Sequence, residues 1–196
     1  MTRALGMCVL LVCATVAMAS PLQDDQTRYV VKTSSKIEFH SSSMFAKVVG
    51  VFHFWEANMK MPADKFADAS LVLEIEAASV TTGSGLRDKE VKGKNFFAVE
   101  EHPKIRFASK SIIADSSPSK FHMDGELTIR GITQPVSVSI TFLRQEDGHQ
   151  WVDGSFSFNR RDFGMTHNVP LDKIANTVLV QFHLDTVGGV APVAQN

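Results

Sequence analysis

The sequence predicts an all-β protein of about eight antiparallel strands. Short runs in which apolar and polar residues alternate recur along the chain, and this period of two is typical of strands with one buried face. No long helical pattern is present that could cover a sheet. Each strand therefore has one apolar face to bury, and two architectures can bury eight such faces, namely a two-sheet sandwich or a single closed barrel.

Eight alternating runs carry this prediction. The clearest covers residues 136–142, in which valine, isoleucine and phenylalanine alternate with serine and threonine. In the second run, the alternation places Phe52 and Phe54 on one face and Trp55 on the other. Residues 59–69 are expected to be a connector, and residues 187–196 a loose tail. The eight runs span residues 29–39, 46–55, 71–76, 105–108, 121–130, 136–142, 152–158 and 178–184.

The longest interruption of the strand pattern runs from Ser79 to Ser109. It contains two glycines, an Arg87-Asp88 pair, several lysines and the aromatic pair Phe96-Phe97. One or two short helices are predicted within residues 84–101. Because a long excursion inside a strand-rich domain is usually functional or a lid, we expect this stretch to be one of the two.

The N-terminal residues 1–19 have the pattern of a cleaved signal peptide. Arg3 provides a positive charge, the apolar run that follows is shorter than the roughly 20 residues that span a bilayer, and Ala17-Met18-Ala19 fits the small-x-small cleavage rule. The alternative, an uncleaved membrane anchor, is disfavoured because no stop-transfer pattern follows. We therefore expect a periplasmic or secreted protein whose single β-barrel domain spans residues 20–196.

The composition and the motifs give no sign of catalysis, of a metal site or of nucleic-acid binding. The formal net charge is -1, so no basic field favours nucleic acid. The seven histidines lack HxxxH and HExxH spacing, and the serine-rich segments lack a nucleophile elbow. Both cysteines lie in the signal peptide, which leaves no thiol for a metal or a disulfide. The sequence predicts a protein that is not an enzyme.

Several spaced motifs, taken in order, closely resemble those of the YceI-like family. The resemblance covers essentially the whole chain after the signal peptide. It rests on Ser79-Val80-Thr81-Thr82, Arg87-Asp88, Phe96-Phe97, His102-Pro103-x-Ile105-x-Phe107-x-Ser109, Gly125-Glu126-Leu127-Thr128-Ile129-x-Gly131-x-Thr133-x-x-Val136 and Asn159-Arg160-x-Asp162-Phe163-Gly164-Met165. What it implies is a single antiparallel lipocalin-like β-barrel with a short helical lid, commonly periplasmic, that holds a polyisoprenoid-type lipid in its lumen.

The resemblance and the strand pattern together suggest which residues would hold such a lipid. No cofactor is expected other than the bound isoprenoid lipid or quinone. Membrane contact is expected to be transient, and a homodimer is compatible with the sequence. The lumen residues are predicted to be Phe52, Leu73, Ile75, Phe107, Met123, Leu127, Val138, Ile140, Phe156, Phe158, Val180 and Phe182. The mouth and lid residues are predicted to be Arg87, Asp88, Phe96, Phe97, Arg160 and Asn168.

Two alternatives to a lipid carrier or store remain open at this point. One is a barrel whose lumen is filled by its own large side chains and which acts as a stress-associated interaction protein. The other is a small hydrolase that uses a histidine. A cavity in the lumen would argue against the first alternative, and a histidine near a serine or carboxylate in a cleft would favour the second.

Overall fold

The computed structural model describes residues 27–60, 68–166 and 173–188. The predicted signal peptide lies outside these residues. Within them, three short 3-10 turns (Lys32–Ser34, Ala77–Ser79 and Arg160–Phe163) and one α-helix, α1 (Gly85–Lys92), interrupt the strands. The strands are β1 (Thr27–Val30), β2 (Lys36–Ser42), β3 (Lys47–Phe52), β4 (Trp55–Lys60), β5 (Ser70–Glu76), β6 (Val80–Thr81), β7 (Lys104–Ala114), β8 (Lys120–Ile129), β9 (Ile132–Glu146), β10 (His149–Asn159) and β11 (Thr177–Gly188).

The strands close into a single antiparallel barrel. Going round the ring, β1, β4, β5, β7, β8, β9, β10 and β11 are each hydrogen-bonded to the next, and β11 pairs back with β1. Closure leaves this ring of eight strands with no unpaired edge. The predicted all-β barrel is therefore confirmed, and the sandwich is excluded.

The three remaining strands, β2, β3 and β6, extend three strands of the barrel at one end. β2 pairs with both β11 and β3, and β3 pairs with β6. Thus β1 and β2 together form one long bent strand, β3 and β4 form a second, and β5 and β6 form a third. The bends fall at Lys32–Ser34, at residues 53–54 and at Ala77–Ser79. The stretch between β6 and β7 holds α1 and a turn-rich segment, so the predicted helix lies where the lid was expected.

The bend at residues 53–54 overturns the alternation predicted for that strand. Phe52 is buried as expected, but Phe54 is 64% exposed and Trp55 is only 5% exposed. The bend shifts the side-chain alternation by one residue, which sends every later residue to the opposite face.

Strand ends also differ from the prediction. β4 continues to Lys60, which pairs with Ser70 of β5, although residues from Met59 onward were expected to be a connector. β11 continues to Gly188, opposite Arg28, rather than ending before Val187. In both places backbone pairing with a neighbouring strand extends the ladder beyond the apolar pattern. No helix among the described residues is long and apolar enough to span a membrane.

Candidate functional site

An apolar cavity of about 310 Å³ occupies the half of the barrel next to α1. Such a volume is at the low end of the roughly 300–1,000 Å³ that is usual for small-molecule sites. Eleven of the twelve side chains predicted to face the lumen line this cavity. They are Phe52, Leu73, Ile75, Phe107, Met123, Leu127, Val138, Phe156, Phe158, Val180 and Phe182.

The twelfth predicted residue, Ile140, lies elsewhere. It lines a separate space of about 30 Å³ towards the other end of the barrel, together with Phe121, Phe142 and Val152. The rings of Phe121 and Phe142 pack edge-to-face there, with centroids 5.1 Å apart. Alternation assigns a residue to the inside of a barrel but not to a level along its axis, so the sequence could not separate Ile140 from the other eleven.

Three glycines keep the cavity open by making room for phenylalanine rings at the barrel wall. Gly50 lies opposite Phe39 in the β2–β3 ladder, and Gly154 lies opposite Phe182 in the β10–β11 ladder. A Cβ atom would come within 2.2 Å of the Phe39 ring at Gly50, 1.9 Å of the Phe182 ring at Gly154 and 2.6 Å of the Phe107 ring at Gly125. At Gly50 and Gly154 a larger residue would push the ring away from the wall, and at Gly125 it would also meet the Ala108 carbonyl oxygen at 2.6 Å. These glycines therefore leave space free in the lumen.

The mouth of the cavity lies between α1, the β2–β3 turn and the segment before β11. Among the described residues that line the cavity, the polar ones all come from this end: Ser41, Ser42, Ser43, Arg87, Glu90 and Arg160. Within the described part of the chain, no hydrogen-bond partner is found for the Arg87 side chain. The cavity is thus apolar along its length and polar where it opens.

Phe96 and Phe97 form the inner surface of the lid. Phe97 is only 7% exposed, and its ring lies 5.9 Å from that of Phe39 and 5.8 Å from that of Phe52. The Arg130 guanidinium donates to the carbonyl of Phe96 at 2.8 Å and ties the lid to the β8–β9 turn. Both phenylalanines line the cavity, as the lid prediction requires.

Comparisons with known proteins give the same architecture. The sequence matches the YceI-like domain over residues 29–186. The chain belongs to the YceI-like family. It is 30% identical over 139 residues to a UPF0312 protein of Pseudomonas fluorescens (65% of this chain, 70% of the relative) and 26% identical over 167 residues to one of Shewanella denitrificans (76% and 86%). The resemblance expected from the motifs is confirmed.

Two solved structures of YceI-like and related barrels are similar to this one. Burkholderia cenocepacia BcnA superposes with a TM-score of 0.74 at 28% identity, covering 80% of this chain and 98% of BcnA. A polyisoprenoid binding domain from Saccharophagus degradans superposes with a TM-score of 0.64 at 15% identity, covering 83% and 99%. At that identity the second similarity shows the fold alone.

The motif pair Arg87-Asp88 of this YceI-like chain has two separate roles. Arg87 lines the cavity mouth, whereas Asp88 does not. The Asp88 carboxylate instead accepts hydrogen bonds from the amide and the hydroxyl of Thr82, both at 2.6 Å. The Thr82 hydroxyl, followed by its amide, lowers the pKa of Asp88 below the usual 3.8. Asp88 therefore fastens α1 to the end of β6, contrary to the expected place at the mouth.

Arg160 also differs from its expected role. Its side chain touches the cavity, but the residue is only 1% exposed. The guanidinium donates to the carbonyls of Ala175 at 3.0 Å, of Ile174 at 3.2 Å and of Met165. Burial lowers the pKa of Arg160 below its usual value. The guanidinium binds the backbone on both sides of residues 167–172 and so shapes one wall of the mouth. Asn168, the other predicted mouth residue, lies outside the described residues.

Other lining residues were missed by the sequence analysis. Ile37, Phe39 and Val48 come from the hairpin β2–β3, Ile105 from the start of β7 and Val91 from α1. The alternation in the first two runs indicated the hairpin residues, because Ile37, Phe39 and Val48 stand on apolar faces. Nothing in the local sequence indicated that Val91 turns inwards.

Histidine–carboxylate pairs are present, although the sequence spacing did not predict them. His149 Nδ1 lies 2.8 Å from the buried Asp185 carboxylate, which also accepts a hydrogen bond from the Ser34 hydroxyl at 2.6 Å. The histidine and the serine thus bind the same carboxylate, an arrangement that links β10, β11 and the turn Lys32–Ser34 and does not activate a nucleophile. A second pair, His183 and Asp153, lies in a polar groove outside the barrel. This is the kind of pair that a hydrolase requires, but among the described residues no serine hydroxyl is hydrogen-bonded to His183. Across the described ranges, no cluster of three or more His, Cys, Asp or Glu could hold a metal ion.

Proposed function

We propose that this protein binds one long isoprenoid-type lipid, such as an isoprenoid quinone or a polyprenyl lipid, with its apolar chain in the barrel. The observation that carries the proposal is a cavity that is apolar throughout its depth and polar only at its open end. The polyisoprenoid binding domain with the same fold adds support by analogy. An apolar chain would gain roughly 0.8 kcal/mol for each CH₂ group that leaves water, so it needs no strong polar anchor.

The orientation of the lipid follows from where the polar groups lie. A head group would stay at the mouth within reach of Arg87, a half-buried residue whose side chain has no hydrogen-bond partner among the described residues. The chain would pass beneath Phe96 and Phe97 and between Phe39, Phe107 and Phe182. Aromatic and branched walls without internal polar groups would tolerate different chain lengths and select little among them.

The cellular role that we propose is that of a carrier or store in the periplasm. The signal-peptide pattern in residues 1–19 supports export, and the cavity supports a soluble container for an apolar molecule. Cell fractionation together with N-terminal sequencing of the mature protein tests this: a periplasmic chain that begins at Ser20 is expected. A chain that retains Met1 and sediments with membranes would contradict it.

The lipid itself can be identified directly. Protein purified from its own cells without detergent is analysed by native mass spectrometry and then extracted with organic solvent. One prenyl lipid or quinone for each barrel is expected, and protein stripped of lipid should take up a long-chain quinone at the same stoichiometry. Protein that carries no lipid and takes up none in vitro would contradict the proposal and favour a barrel that acts through its surface.

The lid is tested by the release of bound lipid. Phe96 is half-buried and lines the cavity, so Phe96→Ala should speed release to acceptor vesicles while the fold persists. The exposed Phe54, on the outside of the barrel, offers a matched control, and Phe54→Ala should release lipid at the wild-type rate. Equal release rates in the two variants would show that Phe96 does not retain the lipid as part of a lid.

A further inference from the structure

Three exposed apolar side chains cluster at the mouth of the cavity. Met44 and Phe45, at the tip of the β2–β3 turn, are 69% and 73% exposed, and Leu86, in the first turn of α1, is 87% exposed. They are the three most exposed large apolar side chains in the described residues. Single exposed apolar residues are ordinary on protein surfaces, but the concentration of the most exposed ones at one opening is not. We call these three residues the apolar rim.

The apolar rim borders the cavity without being part of its wall. Ser43 and Ala46, on either side of Met44 and Phe45, line the cavity, and so does Arg87, which follows Leu86. None of the three rim side chains lines it. The rim can therefore engage something outside the barrel while the lumen stays occupied.

The described segments that contribute to the mouth are basic, although the whole chain has a formal net charge of -1. The segments that line the mouth are residues 41–48, 84–97, 160–165 and 173–178. Apart from the buried Arg160, seven basic side chains stand in them against three acidic ones. The basic residues are Lys47, Arg87, Lys89, Lys92, Lys94, Arg161 and Lys173, and the acidic ones are Asp88, Glu90 and Asp162.

We propose that the apolar rim docks this protein, mouth first, on an anionic membrane surface. Apolar side chains that enter the interface, surrounded by lysines and arginines that meet anionic head groups, are the combination that interfacial membrane binding requires. Docking in this orientation places the open end of the cavity against the leaflet, so a lipid passes between them without crossing water. This inference rests on the proposed function, because it names the surface from which the cavity is filled.

The charge around the mouth favours a membrane over a second copy of the chain. Two copies that met rim to rim would bring two basic surfaces together, and like charges in contact oppose association. An anionic leaflet instead complements the basic residues, and its apolar layer accepts the rim side chains.

Vesicle co-sedimentation tests the docking. Wild-type protein is mixed with vesicles of phosphatidylglycerol and phosphatidylcholine, or of phosphatidylcholine alone, at low and high salt. We expect binding to the anionic vesicles that weakens with salt, and at least about a tenfold loss of binding in the double variant Phe45→Ser with Leu86→Ser. The matched control is Leu143→Ser, which removes a half-exposed apolar side chain outside the mouth segments and should bind like wild type.

Lipid loading in detergent solution separates this inference from the proposed function. The rim variant should load a long-chain quinone like wild type in native mass spectrometry, because its residues do not line the cavity. Three results would overturn the docking even if loading is normal: wild type that does not bind anionic vesicles, a rim variant that binds them undiminished, or a control that loses as much binding. A wild-type dimer that the rim variant turns into a monomer would assign the rim to a second copy instead.

Discussion

The two halves of the barrel interior share most of their strands but are packed in opposite ways. Beside α1, the interior holds a cavity of about 310 Å³, whereas the other half encloses only about 30 Å³. Both halves are rich in phenylalanine. In the open half Phe39 and Phe107 lie against glycines at the wall, and in the filled half Phe121 and Phe142 pack against each other. The residue that faces each ring, rather than the aromatic content, decides whether a lumen is open.

The largest difference between the two halves is expected when one phenylalanine is truncated in each. Phe121 is 8% exposed and packs edge-to-face on Phe142, so Phe121→Ala should lower the free energy of unfolding by about 3–5 kcal/mol. Phe156 is half-buried and already faces empty space, so Phe156→Ala should cost less than about 2 kcal/mol but weaken lipid retention. Urea unfolding and native mass spectrometry measure both properties. Equal stability losses in the two variants would show that the halves do not differ.

Removing the buried guanidinium of Arg160 should be nearly as costly. Each hydrogen bond from a charged group contributes about 1.5–3 kcal/mol, and three backbone carbonyls would lose theirs in Arg160→Met. Because the three bonds share one guanidinium and their contributions are not additive, we expect a loss of roughly 3 kcal/mol in the free energy of unfolding. If the variant kept wild-type stability and lost only its lipid, Arg160 would be a ligand contact, as the sequence first suggested.

Adding a side chain at the wall of the open half should reduce lipid capacity at a smaller cost in stability. In Gly154→Ala the new methyl group displaces the Phe182 ring, and the empty lumen is where the ring can go. We expect lost lipid capacity and a stability cost of about 1–3 kcal/mol. Gly85→Ala, where nothing lies within 4 Å of the added atom, is the control and should load normally. Wild-type capacity in Gly154→Ala would show that the glycines do not set the size of the lumen.

The smallest effect is expected at Asp88 and depends on pH. Because its pKa is lowered in the folded state, its stabilising contribution is present above the unfolded value near 3.8 and is lost as pH falls through the lower folded value. Asp88→Asn should therefore be less stable than wild type near neutral pH, and the difference should shrink below about pH 4. Unfolding curves at several pH values measure it. A difference that stays constant down to about pH 2 would exclude this role.

Alternation predicted the strands and most of the cavity wall, and the resemblance to the YceI-like family favoured a barrel over a sandwich. Leu127 and Val180 stand on apolar faces of clear period-two strands, and closure of the sheet turns those faces inwards. The level along the barrel axis depends on strand register and bulges, such as the shift between Ser109 and Ser111 in the β7–β8 ladder. For this reason Ile140 could not be assigned to the correct half.

The polar residues at the mouth were harder to predict than the apolar ones. Arg87, Asp88 and Arg160 are all charged and all belong to motifs near the lid, yet only Arg87 has a side chain that other described residues leave available. What separates them is whether a hydrogen-bond partner lies nearby in space. That partner is Thr82 for Asp88 and the carbonyls of Met165, Ile174 and Ala175 for Arg160. Composition and spacing do not contain this information.

The main proposal is that the lipid chain lies in the open half of the barrel. Its most direct test is a crystal structure of the protein loaded with an isoprenoid quinone that carries bromine at the end of its chain, with the bromine located by anomalous scattering. We predict one bromine site deep in the cavity, among Phe107, Met123 and Phe182. A bromine on the outer surface, or an apolar cavity that stays empty while the lipid binds elsewhere, would contradict the account.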